Sequence, residues 1–265
     1  QIRGYIGDGY VQAVPFQSTT INLLKNHDMV EARDWELINE NSSATGGNYW
    51  DDGYFGYSSL QITKADPTGR SYFSQGLEVA ADTYTLSGYI KTSELSGGGL
   101  GAALLIKYED GSGNWEEISS QGVTGTQDWQ RLHVTFTIPE GYKNSQVIVG
   151  LMVQGTVGSA WFDCIQLEVG LLPTSYNILE NSSFELGYWN PDYLSSTEAL
   201  FGSHSLLIHG NESHEDSSRS IDCRLIRKLK NNIFVVSGWA KANSVSKGNF
   251  QIIVRFKDYY GRNSV

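Results

Sequence analysis

The stretch Tyr84-Thr-Leu-Ser-Gly-Tyr-Ile-Lys-Thr92 alternates apolar and polar side chains. This pattern predicts a β-strand with Tyr84, Leu86 and Ile90 on the face towards a core, and with Thr85, Ser87, Tyr89 and Lys91 on the opposite face. The segment Phe234-Val-Val-Ser-Gly-Trp-Ala-Lys-Ala242 repeats the same Ser-Gly-aromatic-x-Lys arrangement further along the chain. We therefore interpret the sequence as two copies of one structural unit.

The composition is typical of a globular all-β protein. Of the 265 residues, 40% are hydrophobic and 18% are charged, and there are 29 Gly and 15 Tyr beside only five Pro and two Met. Abundant glycine together with β-branched and aromatic residues favours many strands joined by tight turns. The length is sufficient for two ordinary domains.

Charge and cysteine content limit the classes of partner. The net charge of −10 argues against nucleic acid and anionic membranes, because both bind to basic surfaces. The longest apolar run, Val147–Val153, is too short to insert into a bilayer. Cys164 and Cys223 occupy non-equivalent positions of the two copies, so no repeated disulfide is implied, whereas one bridge between the copies stays open.

Alignment of the two copies predicts the domain boundaries. Residues 1–20 match neither copy and are interpreted as a leader or linker from a preceding region. Residues 21–171 form the first module, and residues 172–265 form a second module that lacks counterparts of residues 117–169. We expect residues 1–20 or a neighbouring chain to cover the edge that the missing strands would leave open. Without an initiator Met or a signal peptide, the sequence is interpreted as a fragment of a longer protein.

A set of motifs in fixed order covers the first copy. Its members are Asn22-Leu-Leu-Lys-Asn26, Trp35, Gly56-Tyr-Ser-Ser-Leu60, the strand that begins at Tyr84, Asp128-Trp-Gln-Arg-Leu132, Phe136-Thr-Ile-Pro139 and Trp161-Phe-Asp-Cys-Ile-Gln-Leu-Glu168. This set resembles the galactose-binding-like jelly-roll carbohydrate-binding modules, in particular the grouping of families 4, 9 and 22. About two thirds of the motif order recurs in residues 177–265.

The resemblance implies a fold and a function. The expected fold is two tandem β-sandwich jelly rolls, each with two face-to-face antiparallel sheets, the second lacking its last strands. The expected function is non-catalytic binding of a polysaccharide or cell-surface glycan, either on a concave face or at a loop rim. The resemblance also implies a large secreted or surface-attached bacterial protein as the parent.

Aromatic and polar residues are concentrated in the loop Asn48–Tyr57. Sugars stack their C–H faces on aromatic rings, and their hydroxyl groups need hydrogen-bonding partners. The candidate binding residues of this loop are Tyr49, Trp50 and Tyr54, next to Asp51 and Asp52. The alternative interpretation is that Phe55 and Tyr57 of the same loop close the end of the sandwich.

A second candidate surface is the polar face of the central strand. Tyr89 and Lys91 lie on it, Trp239 is the equivalent of Tyr89 in the second copy, and His133 could join from a neighbouring strand. An outward aromatic residue in mid-sheet fits the concave cleft that the resemblance implies. The alternatives are that Tyr89 packs against a covering loop and that His133 is an ordinary surface residue.

The resemblance also implies a structural calcium ion that joins the first strand to the last. Hard cations bind several carboxylate and carbonyl oxygens. The candidate ligands are Asp28, Glu31 and Asp163 in the first copy and Glu185 in the second. At the end of the first copy a thiol, Cys164, replaces one acid of the family's pair.

No catalytic arrangement is predicted. The acidic pairs, such as Asp51 with Asp52, are adjacent in turns, whereas glycoside hydrolysis needs two carboxyl groups that converge. Trp129 and Trp161 are interpreted as packing residues. Tandem repetition favours binding, because linked modules gain avidity. The rival function is a structural spacer or protein–protein interaction module without a sugar ligand, and the divergence of the aromatic loop between the copies favours it.

Overall fold

The first copy is described almost completely. A computed structural model describes residues 21–29, 33–109, 113–141 and 145–177, together with the short segments 194–195, 205–207, 256–257 and 263–264. The longer ranges belong to the larger of two compact units of the chain, Thr20–Lys230. In these ranges all regular secondary structure is strand, and no helix is present that could cross a membrane.

Two five-stranded antiparallel sheets form the fold. Their strands are β1 (Glu36–Glu40), β2 (Thr45–Trp50), β3 (Ser58–Lys64), β4 (Arg70–Val79), β5 (Asp82–Ser96), β6 (Gly101–Glu109), β7 (Trp115–Ser119), β8 (Gly125–Ile138), β9 (Ser145–Gln154) and β10 (Val157–Val169). The first sheet has the order β1-β4-β9-β6-β7 and the second has the order β2-β3-β10-β5-β8. The predicted all-β jelly-roll sandwich is confirmed for this module.

The core lies between the two sheets. Leu86 and Ile90 of β5 are fully buried, as the alternation in the sequence predicts. Phe162 of β10 pairs in register with Ile90 on one side and with Leu60 of β3 on the other. All of these residues belong to one hydrophobic cluster, which also contains Leu104 of β6 from the facing sheet. Burial of these apolar side chains is the main stabilising contribution to the fold.

The first sheet is strongly curved. In a flat sheet, β4 and β7 would lie about 14 Å apart, because β9 and β6 separate them and neighbouring strands are about 4.8 Å apart. The two residues are also offset along the strands. Arg70 pairs with Gln154, which pairs with Gly101 at the start of β6, whereas Glu117 pairs with Lys107 further along β6. The Arg70 guanidinium nevertheless donates two hydrogen bonds to the Glu117 carboxylate. The outer face of this sheet is therefore concave.

This concave face is called the groove. It is defined by the side chains of Glu40, Arg70, Tyr72, Lys107 and Glu117, which come from β1, β4, β6 and β7. Its floor is a small apolar cluster, separate from the core, that contains Tyr72, Ala103, Leu105 and Met152.

The segment 174–177 and the loop 51–57 cover much of the outer face of the second sheet. Gln166 and Glu168 of β10 are completely buried there. Glu168 accepts hydrogen bonds from the backbone N–H (2.8 Å) and the hydroxyl (2.6 Å) of Thr174, and Gln166 accepts one from the backbone N–H of Asn177. The loop 51–57 covers a further part of the face. The two sheets therefore present different outer surfaces.

The second copy lies almost entirely outside the described residues. Four two-residue strands are described there, in the pairs β11 (Leu194–Ser195) with β12 (Ser205–Leu206) and β13 (Phe256–Lys257) with β14 (Asn263–Ser264). The predicted boundary at residue 172, the missing strands and the covering of an open edge stay predictions. Cys164 is a buried free thiol in the described part of the chain, and Cys223 lies outside the described residues.

Candidate functional site

The groove contains a network of ion pairs centred on Arg70. Its Nε lies 2.6 Å from Oε2 of Glu40, on the neighbouring strand. Its two terminal nitrogens donate to the two carboxylate oxygens of Glu117, with a distance of 2.9 Å from Nη2 to Oε2 and a still closer contact from Nη1 to Oε1. Arg70 is therefore saturated by two carboxylates, and the pair with Glu117 has the bidentate geometry that gives the strongest hydrogen bonding.

Tyr72 lies beneath these charges. The Lys107 ammonium nitrogen is 4.8 Å from the centroid of the Tyr72 ring, and the Arg70 guanidinium carbon is 5.9 Å from it. The Tyr72 hydroxyl donates to Glu40 (2.7 Å) and accepts from Lys107 (2.9 Å). Only 5% of Tyr72 is exposed. The aromatic floor of the groove is therefore covered by the protein's own charged side chains.

The network shifts the ionisation of its members. Burial of Glu40 favours the neutral acid, but hydrogen bonds from Lys107, Tyr72 and Arg70 outweigh this effect and lower its pKa to about 2. Burial raises the pKa of Tyr72, and the hydrogen bond to Glu40 raises it further. Hydrogen bonds to Glu117 and Glu40 raise the pKa of Arg70 despite its burial. At neutral pH the groove thus holds two cations and two anions.

A pH-dependent stability follows from the lowered pKa of Glu40. The stabilising contribution of an acid with a lowered pKa is complete above the unfolded pKa, here 4.5, and is lost as the pH falls towards about 2. We expect Glu40→Gln to lower the free energy of unfolding at pH 7 by about 1 kcal/mol, since the solvent-accessible carboxylate is screened. The measurement is urea denaturation of wild type and variant between pH 7 and pH 2.

The difference in stability between wild type and Glu40→Gln should shrink as the pH falls. A constant difference across this range would show that the ionised Glu40 does not stabilise the folded state. Glu36→Gln is the matched control, because Glu36 is on the same strand and is exposed.

Sequence reasoning missed the groove. Arg70 and Tyr72 alternate with Ser71 and Phe73. The strand therefore has an aromatic residue on each face, and the sequence does not show whether Tyr72 or Phe73 faces the core. The alternation of Arg70, Tyr72 and Ser74 was the available signal for an outward polar face.

The structure places Tyr89 on the second sheet, opposite to the groove. The Tyr54 ring stacks on the Tyr89 ring with a centroid distance of 3.5 Å and an interplanar angle of 12°. Burial, followed by the hydrogen bond with Tyr54, raises the pKa of Tyr89 to about 12. Of the two interpretations of Tyr89, the geometry therefore favours packing against a covering loop.

Lys91 and the loop 51–57 also meet on this face. The Lys91 ammonium is 2.6 Å from Oδ2 of Asp52 and 5.8 Å from the centroid of the Trp161 ring. Tyr49 contacts Trp161 edge-on, with a centroid distance of 5.8 Å. The structure thus brings Tyr49, Tyr54, Tyr89 and Lys91 to one side of the module, together with Trp161.

Trp50 and His133 are arranged differently. Trp50 follows Tyr49 in β2, so its side chain points to the opposite side of that strand, and it is 57% exposed. His133 is exposed on β8, in register with Ser87. Trp239 lies outside the described residues. Of the described candidates, Trp50 therefore points away from the surface of Tyr49, Tyr54, Tyr89 and Lys91, whereas His133 lies on the same face of the second sheet as Tyr89.

Trp129 and Trp161 are half-buried. Trp129 contacts Tyr54 edge-on with a centroid distance of 6.3 Å. Within the described ranges, the indole N–H groups of both residues are buried without a hydrogen-bond partner. Both rings support the aromatic side of the second sheet.

The predicted calcium ligands are described in part. Asp163 is completely buried, and its carboxylate accepts hydrogen bonds from the backbone N–H groups of Phe55 (2.9 Å) and Cys164 (2.6 Å). Burial raises its pKa, and the charge of Asp28 acts in the same direction. Glu31 and Glu185 lie outside the described residues. The described part of the chain contains no cluster of three or more His, Cys, Asp or Glu side chains that could hold a metal ion, and the calcium site stays a prediction.

Comparison with known families assigns the fold. The family described as "Carbohydrate binding domain", of types 4 and 9, matches residues 22–154, which is half of the chain. The chain belongs to this carbohydrate binding domain family. The matched range includes every residue of the groove, and it ends before β10.

Curated relatives of the carbohydrate binding domain include two Bacillus proteins. The tRNA nuclease WapA of Bacillus subtilis (strain 168) is 33% identical over 119 residues, which are 44% of this chain and 5% of the relative. The tRNA3(Ser)-specific nuclease WapA of Bacillus spizizenii is 32% identical over the same shares. The chain thus spans about a twentieth of the length of these relatives.

Solved structures with a similar fold include xylan-binding domains. The CBM22-1 xylan-binding domain of Paenibacillus barcinonensis Xyn10C has 18% identity and a TM-score of 0.43, covering 60% of this chain and 100% of that domain. The C-terminal family 22 carbohydrate binding module of Clostridium thermocellum Xyn10B has 16% identity and a TM-score of 0.43, covering 58% and 97% respectively.

Proposed function

We propose that the chain binds a polysaccharide or cell-surface glycan in the groove without catalysing a reaction on it. The observation that carries this proposal is the position of Tyr72, whose ring and hydroxyl lie among two cationic and two anionic side chains on a concave face. An aromatic ring stacks on the C–H face of a sugar, and paired charged groups bond to its hydroxyls.

Carbohydrate must compete with the ion pairs of the groove. Arg70 and Lys107 would donate to sugar hydroxyl oxygens, and Glu40 and Glu117 would accept from sugar hydroxyl groups. The binding free energy is what remains after the existing bonds are exchanged. We therefore expect weak binding, with Kd on the order of micromolar to millimolar.

The aromatic side of the second sheet is the alternative location for the sugar. Tyr49 and Tyr54 are 39% and 41% exposed, and Tyr49 contacts the ring of Trp161, whose N–H is unpartnered among the described residues. Tyr89 could contribute only if Tyr54 moved away from it. The Tyr72 ring likewise becomes accessible only when Arg70 and Lys107 move off it. The groove is preferred because the groups that would move are themselves hydrogen-bonding partners for sugar hydroxyls.

A structural spacer or protein-interaction module is the alternative function. The observation that favours it is the mutual saturation of the four charged groups, which leaves no groove cation without a carboxylate partner. A surface with this property could stabilise the sheet and bind nothing.

We place this function in a larger secreted or surface-attached bacterial protein. Support comes from the family and from the two long Bacillus relatives, of which the chain matches 5%. The nuclease activity in the names of those relatives is not transferred to this chain, because the matched part is so small. With a net charge of −10, we expect no nucleic-acid partner and no insertion into membranes.

The test is retardation of the full chain in native gels that contain cellulose derivatives, xylan, β-glucans or mannan. We expect retardation by at least one polymer and no release of sugar from any of them. Retardation by none of a broad glycan panel would favour the spacer function, and hydrolysis of a polymer would contradict a non-catalytic module.

We also propose that a bound calcium ion stabilises the fold. If Asp28 and Asp163 bind Ca²⁺ together with Glu31 or Glu185, saturating calcium should raise the Tm of the chelator-treated chain by several degrees, because a ligand that binds only the folded state stabilises it. Calorimetry with and without chelator measures this shift. An unchanged Tm would show that calcium does not stabilise the folded chain.

A further inference from the structure

The two carboxylates that bind Arg70 are held very differently. Glu40 is next to Arg70 in the β1–β4 register and also interacts with Lys107 (2.8 Å) and the Tyr72 hydroxyl (2.7 Å). These contacts orient Glu40 firmly, and through its bond to Nε, Glu40 orients the guanidinium of Arg70. The terminal nitrogens Nη1 and Nη2 then point away from Glu40 and into the groove.

Glu117 has much weaker support. It lies on β7, an edge strand of five residues that pairs only with β6, and all five residues are exposed. Its side chain is 42% exposed, compared with 35% for Glu40, and it lacks the hydrogen bond to Tyr72 that Glu40 has. A short edge strand with solvent-accessible side chains opens more easily than the interior of a sheet. Of the two carboxylates, Glu117 is the one that can leave.

The place that Glu117 occupies is a carboxylate-binding site. Both of its oxygens accept from Arg70, and Lys107 is 4.0 Å from its Oε2. When Glu117 moves away, Arg70 and Lys107 face a single remaining anion, Glu40, so the site has a local charge of +1. Arg70 then presents two parallel N–H donors, which is the preferred geometry for a carboxylate.

We propose that this site binds the carboxylate of an acidic sugar, a uronic acid unit of a polysaccharide, in place of Glu117. This proposal rests on the proposed function, because it specifies the ligand class of the same groove. The uronate carboxylate occupies the position between Arg70 and Lys107, and the sugar ring lies beside Tyr72. Glu117 acts as an internal substitute that keeps the cations paired when no sugar is bound.

The overall negative charge opposes this binding only at long range. At physiological ionic strength, exposed charges more than about 8 Å apart are largely screened. The contacts of a bound carboxylate with Arg70 and Lys107 are much shorter than this distance. Local pairing therefore dominates the affinity, and repulsion by the rest of the chain mainly slows association.

The experiment compares acidic polymers with neutral forms of the same backbone. Polygalacturonate, alginate and glucuronoxylan are each used in native form and after reduction of their carboxyl groups. Affinity electrophoresis of the full chain gives the retardation by each polymer. We expect at least one native polymer to retard the chain several-fold more than its reduced form.

Two variants test the role of Glu117 and Arg70. We expect Glu117→Gln to raise the ratio of retardation by the acidic polymer to retardation by its reduced form several-fold, because the competing internal carboxylate is removed. Glu116→Gln is the matched control, since it makes the same charge change on the same strand but on the opposite face. Arg70→Lys keeps the charge and loses the paired donors, so we expect weaker retardation by the acidic form.

The failure of this proposal differs from the failure of the proposed function. If reduced and other neutral polymers retard the chain and the acidic forms do not, the carboxylate site is refuted while carbohydrate binding stands. Equal strengthening for acidic and reduced polymers in Glu117→Gln would show that Glu117 merely closes the groove, which also refutes the carboxylate site. If no polymer of either kind retards any variant, both proposals fail.

Discussion

Replacing Phe162 with alanine is expected to lower the free energy of unfolding by about 3–5 kcal/mol, the usual cost of deleting a buried aromatic side chain. Phe162 is completely buried at the centre of the second sheet, between Leu60 and Ile90, which are also completely buried. Its removal deletes apolar contacts and leaves a cavity that the two paired strands cannot fill. Urea denaturation of the full chain, monitored by tryptophan fluorescence, measures the change.

A loss of this size is a large part of the about 5–15 kcal/mol that stabilises a typical domain, so Phe162→Ala could prevent folding altogether. Ile62→Val, in the same core, is the milder companion variant, with an expected loss of about 0.5–1.5 kcal/mol. Tyr57→Ala is the exposed control, and its effect should stay within about 0.5 kcal/mol. A cost below about 1 kcal/mol for Phe162→Ala would contradict the packing described for this core.

Replacing Tyr72 with alanine is expected to weaken carbohydrate binding about 10- to 100-fold, or to abolish it. Loss of a central aromatic residue of a binding surface typically costs about 2 kcal/mol or more, and each 1.4 kcal/mol is about tenfold in affinity. Tyr72 provides the ring that would stack on the sugar once Arg70 and Lys107 have moved off it, and a hydroxyl that orients Glu40 and Lys107. Retardation in the polymer that binds the wild type measures the loss.

Two further variants make this result specific. Tyr72→Phe keeps the ring and should retain most of the binding. Tyr89→Ala changes the second sheet, and we expect it to leave retardation unchanged. If Tyr89→Ala removed binding and Tyr72→Ala did not, with melting temperatures preserved, the sugar would bind to the aromatic side of the second sheet instead.

Much of the strand pattern could be predicted from the sequence. The alternation from Tyr84 to Thr92 lies inside β5, and the apolar run Val147–Val153 lies inside β9. These strands could be predicted because one or both of their faces are buried, and a buried face requires apolar side chains at regular positions.

The segment 125–131, a glycine followed by mostly polar residues, predicts a turn from its sequence, and that prediction is wrong. The structure continues β8 through it, from Gly125 to Ile138. Its residues are mostly polar because they pair with the far end of β5 at the surface, through an irregular register near Thr92. Polar residues after a glycine look like a turn when the partner strand is unknown.

The groove could not be predicted from spacing along the chain. Arg70 and Glu117 meet only because β9 inserts between β4 and β6 and because the whole sheet curves. The concave face was expected around Tyr89, whereas the contact between Arg70 and Glu117 indicates a concave outer face on the other sheet. Curvature depends on the twist of all five strands together, and no local motif encodes it.

The central claim is that the groove binds carbohydrate, and ligand mapping by NMR tests it most directly. The isotope-labelled full chain is titrated with an oligosaccharide of the polymer that retards it, and the perturbed backbone resonances are assigned. We predict that they cluster on the outer face of the first sheet, around Arg70, Tyr72, Lys107 and Glu117. Perturbations confined to residues 49–57 and 89–91, or none at saturating oligosaccharide, would contradict the claim.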